Sequence, residues 1–214
     1  YENEGCYSER DEEFLASTAG QVALAIERKR AEEELRASQK HFYELFENVP
    51  VGIWEEDFSA IREFLNGLFE SGITDLPSYF DDHPEAVTEC VNRIKVLNVN
   101  QAALQFYQAE DKSQLIDKTT SPIRIDSQSF RVFREQFIEL AHGHTSYETE
   151  FDTLNMRGEM RTVALRLSFA YGSEQTWKRV FVAFTDLTER KHAEQAMRDA
   201  EFRYQQIVEH IPAV

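Results

Sequence analysis

The chain has 214 residues, which is long enough for one or two domains with a buried core. It carries 23 basic and 39 acidic residues, and the resulting net charge of −16 argues against binding to nucleic acid or to anionic membrane surfaces. No apolar stretch reaches the length of a membrane span and no signal peptide opens the sequence, so we expect a cytoplasmic segment without membrane insertion. The two cysteines, Cys6 and Cys90, lie far apart and form no metal or redox motif.

The first predicted element is a helix from about Asp11 to Glu47, about 55 Å long and too long for one small domain to cover. Residues recur along it at alternating spacings of four and three, which is the seam of a coiled coil: Ala31, Leu35, Ser38, Phe42, Leu45 and Val49. The alternative is an amphipathic helix that packs on its own domain. We favour a coiled-coil linker because the same register recurs near the other end of the chain.

The segment Glu27-Arg28-Lys29-Arg30-Ala31-Glu32 recurs as Glu189-Arg190-Lys191-His192-Ala193-Glu194. A repeat of this kind indicates that the same boundary between modules occurs at both places in the chain. A second seam follows it, formed by Ala193, Met197, Ala200, Tyr204, Ile207 and Ile211. We therefore expect a slice of a longer protein, with a linker over residues 1–40, one module over 41–188 and a second linker over 189–214. Homodimerisation is predicted through Leu35, Phe42, Leu45, Met197, Tyr204 and Ile207.

The module opens with a predicted strand over Val51–Glu55, followed by helices over residues 57–92. Ser59 is placed to cap the first of these helices, and Asp82 is placed to cap a later one that carries His83 and Pro84 in its first turn. This helical insertion either covers the mouth of a pocket, enlarges a dimer surface or decorates the solvent side, and the sequence does not choose between them.

A second strand is predicted over Arg93–Val99, followed by a helix that Asn100 caps and by a longer helix over Ser127–His142. The last third alternates apolar and polar residues in two strands joined by a turn at Arg157-Gly158. Arg179 to Thr185 is apolar at nearly every position, which predicts a central strand covered on both faces. The fold class is therefore α+β, with a five-stranded sheet whose last three strands are antiparallel.

The segment Phe184-Thr185-Asp186-Leu187-Thr188-Glu189-Arg190-Lys191 resembles the motif with which PAS sensory domains end before their output helix. Asn100-Gln101-Ala102-Ala103 and Gly158 also resemble PAS positions. The sequence from Phe202 resembles the start of a second PAS domain, and Phe14 to Ile26 resembles the closing helix of a GAF domain. The resemblance implies a PAS fold, with an antiparallel sheet, helices on one face and long flanking coiled-coil helices. The insertion over residues 57–92 departs from the tight turn that is usual in the family.

The resemblance also implies a ligand cavity, although each residue assigned to it equally fits a side chain that only fills the core. The assigned residues are Trp54, Phe106, Phe133, Tyr147, Phe151, Leu165, Arg166, Leu167 and Phe181. Tyr147, Arg161 and Arg166 are the candidate polar groups. In the family, residues at the positions of Asp186 and Thr188 join the last strand to the output helix, so these two are the expected signal junction, although either could act as a plain helix cap.

No cofactor is assigned. A flavin photosensor of this family places a cysteine beside the ring, whereas Cys90 lies inside the insertion. A haem sensor presents a histidine from the long helix, and His142 stands at the end of that helix. A metal at His83 with Asp81, Asp82 and Glu85 is less favoured than helix capping. Catalytic motifs are also missing from the sequence, so the segment is predicted not to be an enzyme.

The leading hypothesis is a signal-input and dimerisation module of a bacterial sensor protein that binds a small ligand or relays a conformational signal. Its full-length output would be a histidine kinase or a GGDEF-type diguanylate cyclase, and both use coiled-coil transmission. The alternative is a structural spacer whose PAS core is filled and binds no ligand. A small enzyme ranks third.

Overall fold

The computed structural model describes residues 9–116 and 127–209. The chain divides into two compact units, residues 1–47 and 48–214. The described part of the first unit is helical, and this helix, α1, spans Glu9–Asn48, in agreement with the predicted bounds. Ion pairs between side chains four residues apart support this helix, with Arg28 Nε 2.9 Å from Glu32 Oε1 and Lys40 Nζ 3.6 Å from Glu44 Oε1.

The second unit is an α+β module built on a five-stranded antiparallel sheet in the order β2-β1-β5-β4-β3. The fold class predicted from the sequence is confirmed. In chain order the elements are β1 Gly52–Asp57, α2 Ser59–Glu70, α3 Leu76–Asp82, α4 Pro84–Arg93, β2 Lys95–Val99, α5 Gln101–Tyr107, α6 Ser113–Ile116, α7 Ser127–Ala141, β3 Ser146–Leu154, β4 Met160–Phe169, β5 Val180–Asp186 and α8 Thr188–Glu209.

The core lies on one face of the sheet. On β5, Val180, Val182 and Phe184 are buried, whereas Phe181 and Ala183 between them are half-buried. The strand is central as predicted, but in the described residues its second face is only half-buried, so the expectation of coverage on both faces is wrong. Its nearly continuous apolar sequence arises because the outward positions also carry apolar side chains.

The insertion is a layer of the core. Its most buried side chains, none more than 1% exposed, belong to the same hydrophobic cluster as the sheet: Phe58, Ile61, Leu65, Leu76, Phe80, Val87 and Cys90. Arg134 of α7 holds α3 through its guanidinium, which donates to the carbonyl of Pro77 at 2.9 Å and pairs with Asp81 at 2.9 Å. Of the three roles left open for the insertion, solvent-side decoration is excluded.

Two predicted caps in the insertion are wrong. Ser59 is the first residue of α2, and its N–H donates to Asp57 Oδ1 at 2.9 Å. Asp82 is the last residue of α3, and α4 begins at Pro84 after His83. The chain leaves the helical conformation at His83, with φ −130° and ψ 67°, because a residue that precedes proline is disfavoured in the α region.

The cap predicted at Asn100 is confirmed. Its Oδ1 accepts from the N–H groups of Ala103 at 3.0 Å and Ile53 at 2.9 Å, and its Nδ2 donates to the carbonyl of Val51 at 2.8 Å. This side chain is fully buried. It therefore fixes the start of β1 to the start of α5 while capping the helix.

Candidate functional site

A cavity of about 80 Å³ lies between the core face of the sheet and helix α7. Its lining side chains come from β1, β3, β4, β5, α5 and α7 and from the segment before β2. The lining residues are Trp54, Glu56, Ile94, Tyr107, Ser129, Val132, Phe133, Gln136, Phe151, Thr153, Val163, Leu165, Val182 and Phe184.

Four residues assigned to the pocket from the sequence line this cavity, namely Trp54, Phe133, Phe151 and Leu165. They come from β1, α7, β3 and β4, so residues far apart in the chain meet at one site.

Three further predicted residues lie beside the cavity without lining it. Phe106 contacts Phe184, with ring centroids 4.8 Å apart. Tyr147 and Leu167 are paired across β3 and β4, and the Tyr147 hydroxyl donates to Glu135 Oε2 at 3.2 Å. These residues support the wall of the cavity from outside it.

Two predicted pocket residues, Arg166 and Phe181, lie on the opposite face of the sheet. Each follows or precedes an inward-facing residue, and successive side chains of a strand point to opposite faces. Arg166 is exposed, and its Nε is 3.2 Å from Glu148 Oε1. Arg161, a third polar candidate, pairs with Glu159 at 2.7 Å and also lies outside the cavity lining.

The main charged residue of the cavity, Glu56, was missed by the sequence analysis. It is 5% exposed, and in the described part of the chain no side chain donates a hydrogen bond to its carboxyl group. Burial raises the pKa of this carboxyl from 4.5 to about 8. The signal was present in the sequence, because Glu56 follows Trp54 by two residues and so shares its face of β1.

Aromatic rings share the cavity lining with this carboxyl group. Trp54 meets Tyr107 edge to face, with centroids 5.6 Å apart, and Tyr107 lies 5.7 Å from Phe184. Tyr107 is half-buried, and desolvation of its hydroxyl, together with the nearby charge of Glu56, raises the pKa of that hydroxyl. The site therefore combines an acidic group with π faces in a region shielded from water.

The predicted junction residues meet where β5 passes into α8. Asp186 Oδ1 accepts from the N–H of Thr188 at 2.8 Å, and Thr188 Oγ1 accepts from the N–H of Thr162 on β4 at 3.0 Å. The N–H of Leu187 donates to the carbonyl of Thr162 at 2.8 Å. Asp186 thus caps the helix, and Thr188 ties the helix to the neighbouring strand.

The predicted coiled-coil side chains are largely exposed. The exposed fractions are 60% for Leu35, 57% for Phe42, 59% for Leu45, 74% for Met197 and 68% for Tyr204. The side chain of Ile207 lies outside the described residues. Self-association through these residues stays a prediction.

The sequence also raised the questions of a metal site, a reactive cysteine and a membrane span. The described residues contain no group of three or more His, Cys, Asp or Glu side chains that could hold a metal ion. Cys90 lies on α4, where burial raises the pKa of its thiol to about 12, and it does not line the cavity. None of the helices in the described ranges combines the length and apolar composition that crossing a bilayer requires.

A scan against protein-family models found no matching family, and a search of curated proteins found no similar sequence. Among solved structures, the chain is similar to the PAS domain of a protein from Colwellia psychrerythraea, with 12% identity, a TM-score of 0.47 and coverage of 71% of this chain and 98% of that one. It is also similar to a sensory box histidine kinase/response regulator from Burkholderia thailandensis, with 17% identity, a TM-score of 0.43 and coverage of 77% and 98%. A third similar structure is the PAS domain of a LuxR-family transcriptional regulator from Burkholderia thailandensis in complex with ethanol, with 14% identity, a TM-score of 0.40 and coverage of 67% and 94%.

Proposed function

We propose that the chain is a PAS-type signal-input and dimerisation module of a bacterial signal-transduction protein, with no catalytic centre of its own. The observation that carries the proposal is the position of strand β4 between the cavity and the output helix. Val163 and Leu165 of β4 line the cavity, while Thr162, the residue before Val163, is bonded to the start of α8.

This arrangement gives a ligand a short mechanical route to α8. Both backbone groups of Thr162 are engaged, since its N–H donates to Thr188 and its carbonyl accepts from Leu187. A ligand that presses on Val163 would shift the adjacent peptide and both of these bonds with it. The next pair in the register, Val163 with Asp186, connects β4 to the strand from which α8 emerges. Small displacements of this kind can be amplified into rotation or bending of a helix.

Ion pairs at the same junction are secondary. Lys191 of α8 lies 2.6 Å from Glu150 of β3, and Arg161 lies 3.6 Å from Asp186. Pairs as exposed as these contribute little to stability. The backbone hydrogen bonds of Thr162 are therefore the connection to perturb.

The seams on α1 and α8 would carry the signal onward through a homodimer in the cytoplasm. The output is a histidine kinase or a GGDEF-type diguanylate cyclase, with a GAF-like segment before the module and a second PAS domain after it. The competing hypothesis is a structural spacer with a filled core. The cavity and its buried polar lining residues, Glu56, Ser129 and Gln136, support ligand binding over that alternative.

The junction is tested by Asp186→Ala and Thr188→Val in the full-length protein. Thr188→Val keeps the β-branched shape and removes the acceptor of the Thr162 N–H. Both variants should keep the circular dichroism spectrum of the wild type, lose regulation of the output and show faster hydrogen exchange at the start of α8. Thr185→Val, at an exposed position on the same strand, is the matched control. Normal regulation in both junction variants would refute the proposed route.

The dimer is tested by Leu35→Lys with Phe42→Lys, which places charge on the α1 seam. Sedimentation equilibrium should show weaker self-association, because two like charges would face each other across a coiled coil. Gln39→Lys adds one such charge off the seam and should leave the association constant near that of wild type. An unchanged mass for the double variant at matched concentration would remove the coiled-coil claim.

A further inference from the structure

We propose that the cavity binds a small organic cation, a primary or methylated ammonium of a few heavy atoms, held by the carboxylate of Glu56 and the surrounding aromatic rings. This inference rests on the proposed ligand-binding function and specifies the class of its ligand.

The Glu56 carboxyl has no hydrogen-bond donor among the described side chains. Glu56 is only 5% exposed, and its pKa is raised by burial with no contribution from a hydrogen bond. A buried carboxyl without a partner is favoured in its neutral form, so a ligand that carries a positive charge is what would allow Glu56 to ionise on the cavity wall.

The rest of the described cavity lining is aromatic and carries no basic side chain. In the described part of the chain, β1, β3, β4, β5, α5 and α7 present no lysine, arginine or histidine to the cavity. Trp54, Tyr107, Phe133 and Phe151 present aromatic rings instead. The faces of such rings carry negative potential and attract ammonium groups, most strongly where water is excluded.

The volume of the cavity limits the size of the ligand. A cavity of about 80 Å³ is roughly half the volume of the engineered apolar cavity of about 150 Å³ that admits benzene. It therefore suits a ligand of a few heavy atoms and excludes flavin, haem or a nucleotide. Gln136, buried on the α7 wall, offers its side-chain oxygen to the remaining ammonium protons.

Binding should be coupled to the protonation of Glu56. The ligand pairs with the ionised carboxylate, so a proton leaves Glu56 for solvent when the cation binds near neutral pH. Glu56 and Tyr107 are the titratable side chains of the described lining, and Tyr107 stays neutral over pH 6 to 8 because its pKa is raised. With the pKa of Glu56 at about 8, the apparent affinity should rise about 50-fold from pH 6 to pH 8.

The experiment titrates the 214-residue chain with ethylammonium chloride and follows the two tryptophan indole N–H signals by NMR. Trp54 lines the cavity and should shift, while Trp177, which lies outside the lining, is an internal control. A ligand of three heavy atoms should bind with a dissociation constant on the order of 1 mM. Ethanol and acetate, the neutral and anionic probes of the same size, are titrated in parallel, with sodium chloride matching the ionic strength.

The variant for this test is Glu56→Gln, which keeps the shape and removes the charge, with Glu55→Gln on the opposite face of β1 as control. We expect saturable ethylammonium binding that Glu56→Gln weakens at least tenfold and that Glu55→Gln preserves. Ethanol binding as tightly as ethylammonium, with no effect of Glu56→Gln, would overturn the cation while leaving ligand sensing intact. The absence of a shift with every probe would overturn the proposed ligand class. Whether the junction transmits a signal is tested separately, by regulation of the output in the junction variants.

Discussion

Replacing Glu56 with Gln should stabilise the protein in a way that depends on pH. The folded chain holds the pKa of this carboxyl at about 8, against an ordinary value of 4.5. Because the folded state prefers the protonated form, the wild type loses stability as the pH rises from about 4.5 to about 8. Glutamine has no such proton to lose.

The magnitude follows from that pKa difference. At about 1.4 kcal/mol per pH unit, the free-energy cost of ionising Glu56 in the folded state approaches about 5 kcal/mol above pH 8. Glu56→Gln and wild type should therefore unfold with similar free energies near pH 4.5, and the variant should be more stable by up to about 5 kcal/mol near pH 8.5. A smaller gain is expected if the cavity admits water to the ionised group.

Urea unfolding of both proteins at several pH values between 4.5 and 9 measures the difference. Glu55→Gln is the matched control, since that carboxylate lies on the same strand, faces the other way and pairs with Arg179 at 2.7 Å. A free-energy difference between wild type and Glu56→Gln that stays constant over this pH range would refute the reasoning. Such a result would mean that water or a polar group solvates the ionised carboxylate of Glu56 in the folded state.

Two packing predictions follow from the core. A Cβ added at Gly52 would lie 2.2 Å from Cζ of Phe184, so Gly52→Ala should destabilise the module by about 1–3 kcal/mol in thermal unfolding. Gly67→Ala in α2, where nothing lies within 4 Å, should instead stabilise it by up to about 1 kcal/mol. Leu65→Ala should cost about 2–5 kcal/mol by urea unfolding if the insertion belongs to the core, whereas Phe69→Ala, at a residue 38% exposed, should cost much less. Equal effects within either pair would contradict the packing described here.

The sequence predicted the elements whose signals are local. Asn100 is a preferred capping residue directly before an apolar helix, and it caps α5 as predicted. The motif at Asp186 and Thr188 likewise located the start of α8 within two residues. Alternation of apolar and polar residues was enough to predict β3 and β4, since each has one buried face.

The cavity was harder to predict because its lining depends on which strands become neighbours. The run Glu55-Glu56-Asp57 has the composition of an exposed segment, and only the pairing of β1 with β2 and β5 buries the middle residue. Arg166 was assigned to the pocket to supply a polar group, although it alternates with the inward residue Leu165. The polar lining residues come from β1, α5, α7 and β3 instead.

The burial of the insertion in the core could not be predicted from local sequence patterns either. Its apolar residues predicted amphipathic helices, but an apolar face does not say what covers it. The contact that fixes α3, from Arg134 to the Pro77 carbonyl, joins residues far apart in the chain.

The strand order also has a consequence for how the protein is made. Strand β5 lies between β1 and β4, so one edge of β1 can be paired only after β5, the last strand in the chain, has been made. During synthesis the sheet stays in two parts until residue 186 has left the ribosome, and such distant pairing slows folding. The helix translated next is α8, so the sheet is completed just as the element that leads away from it begins to emerge.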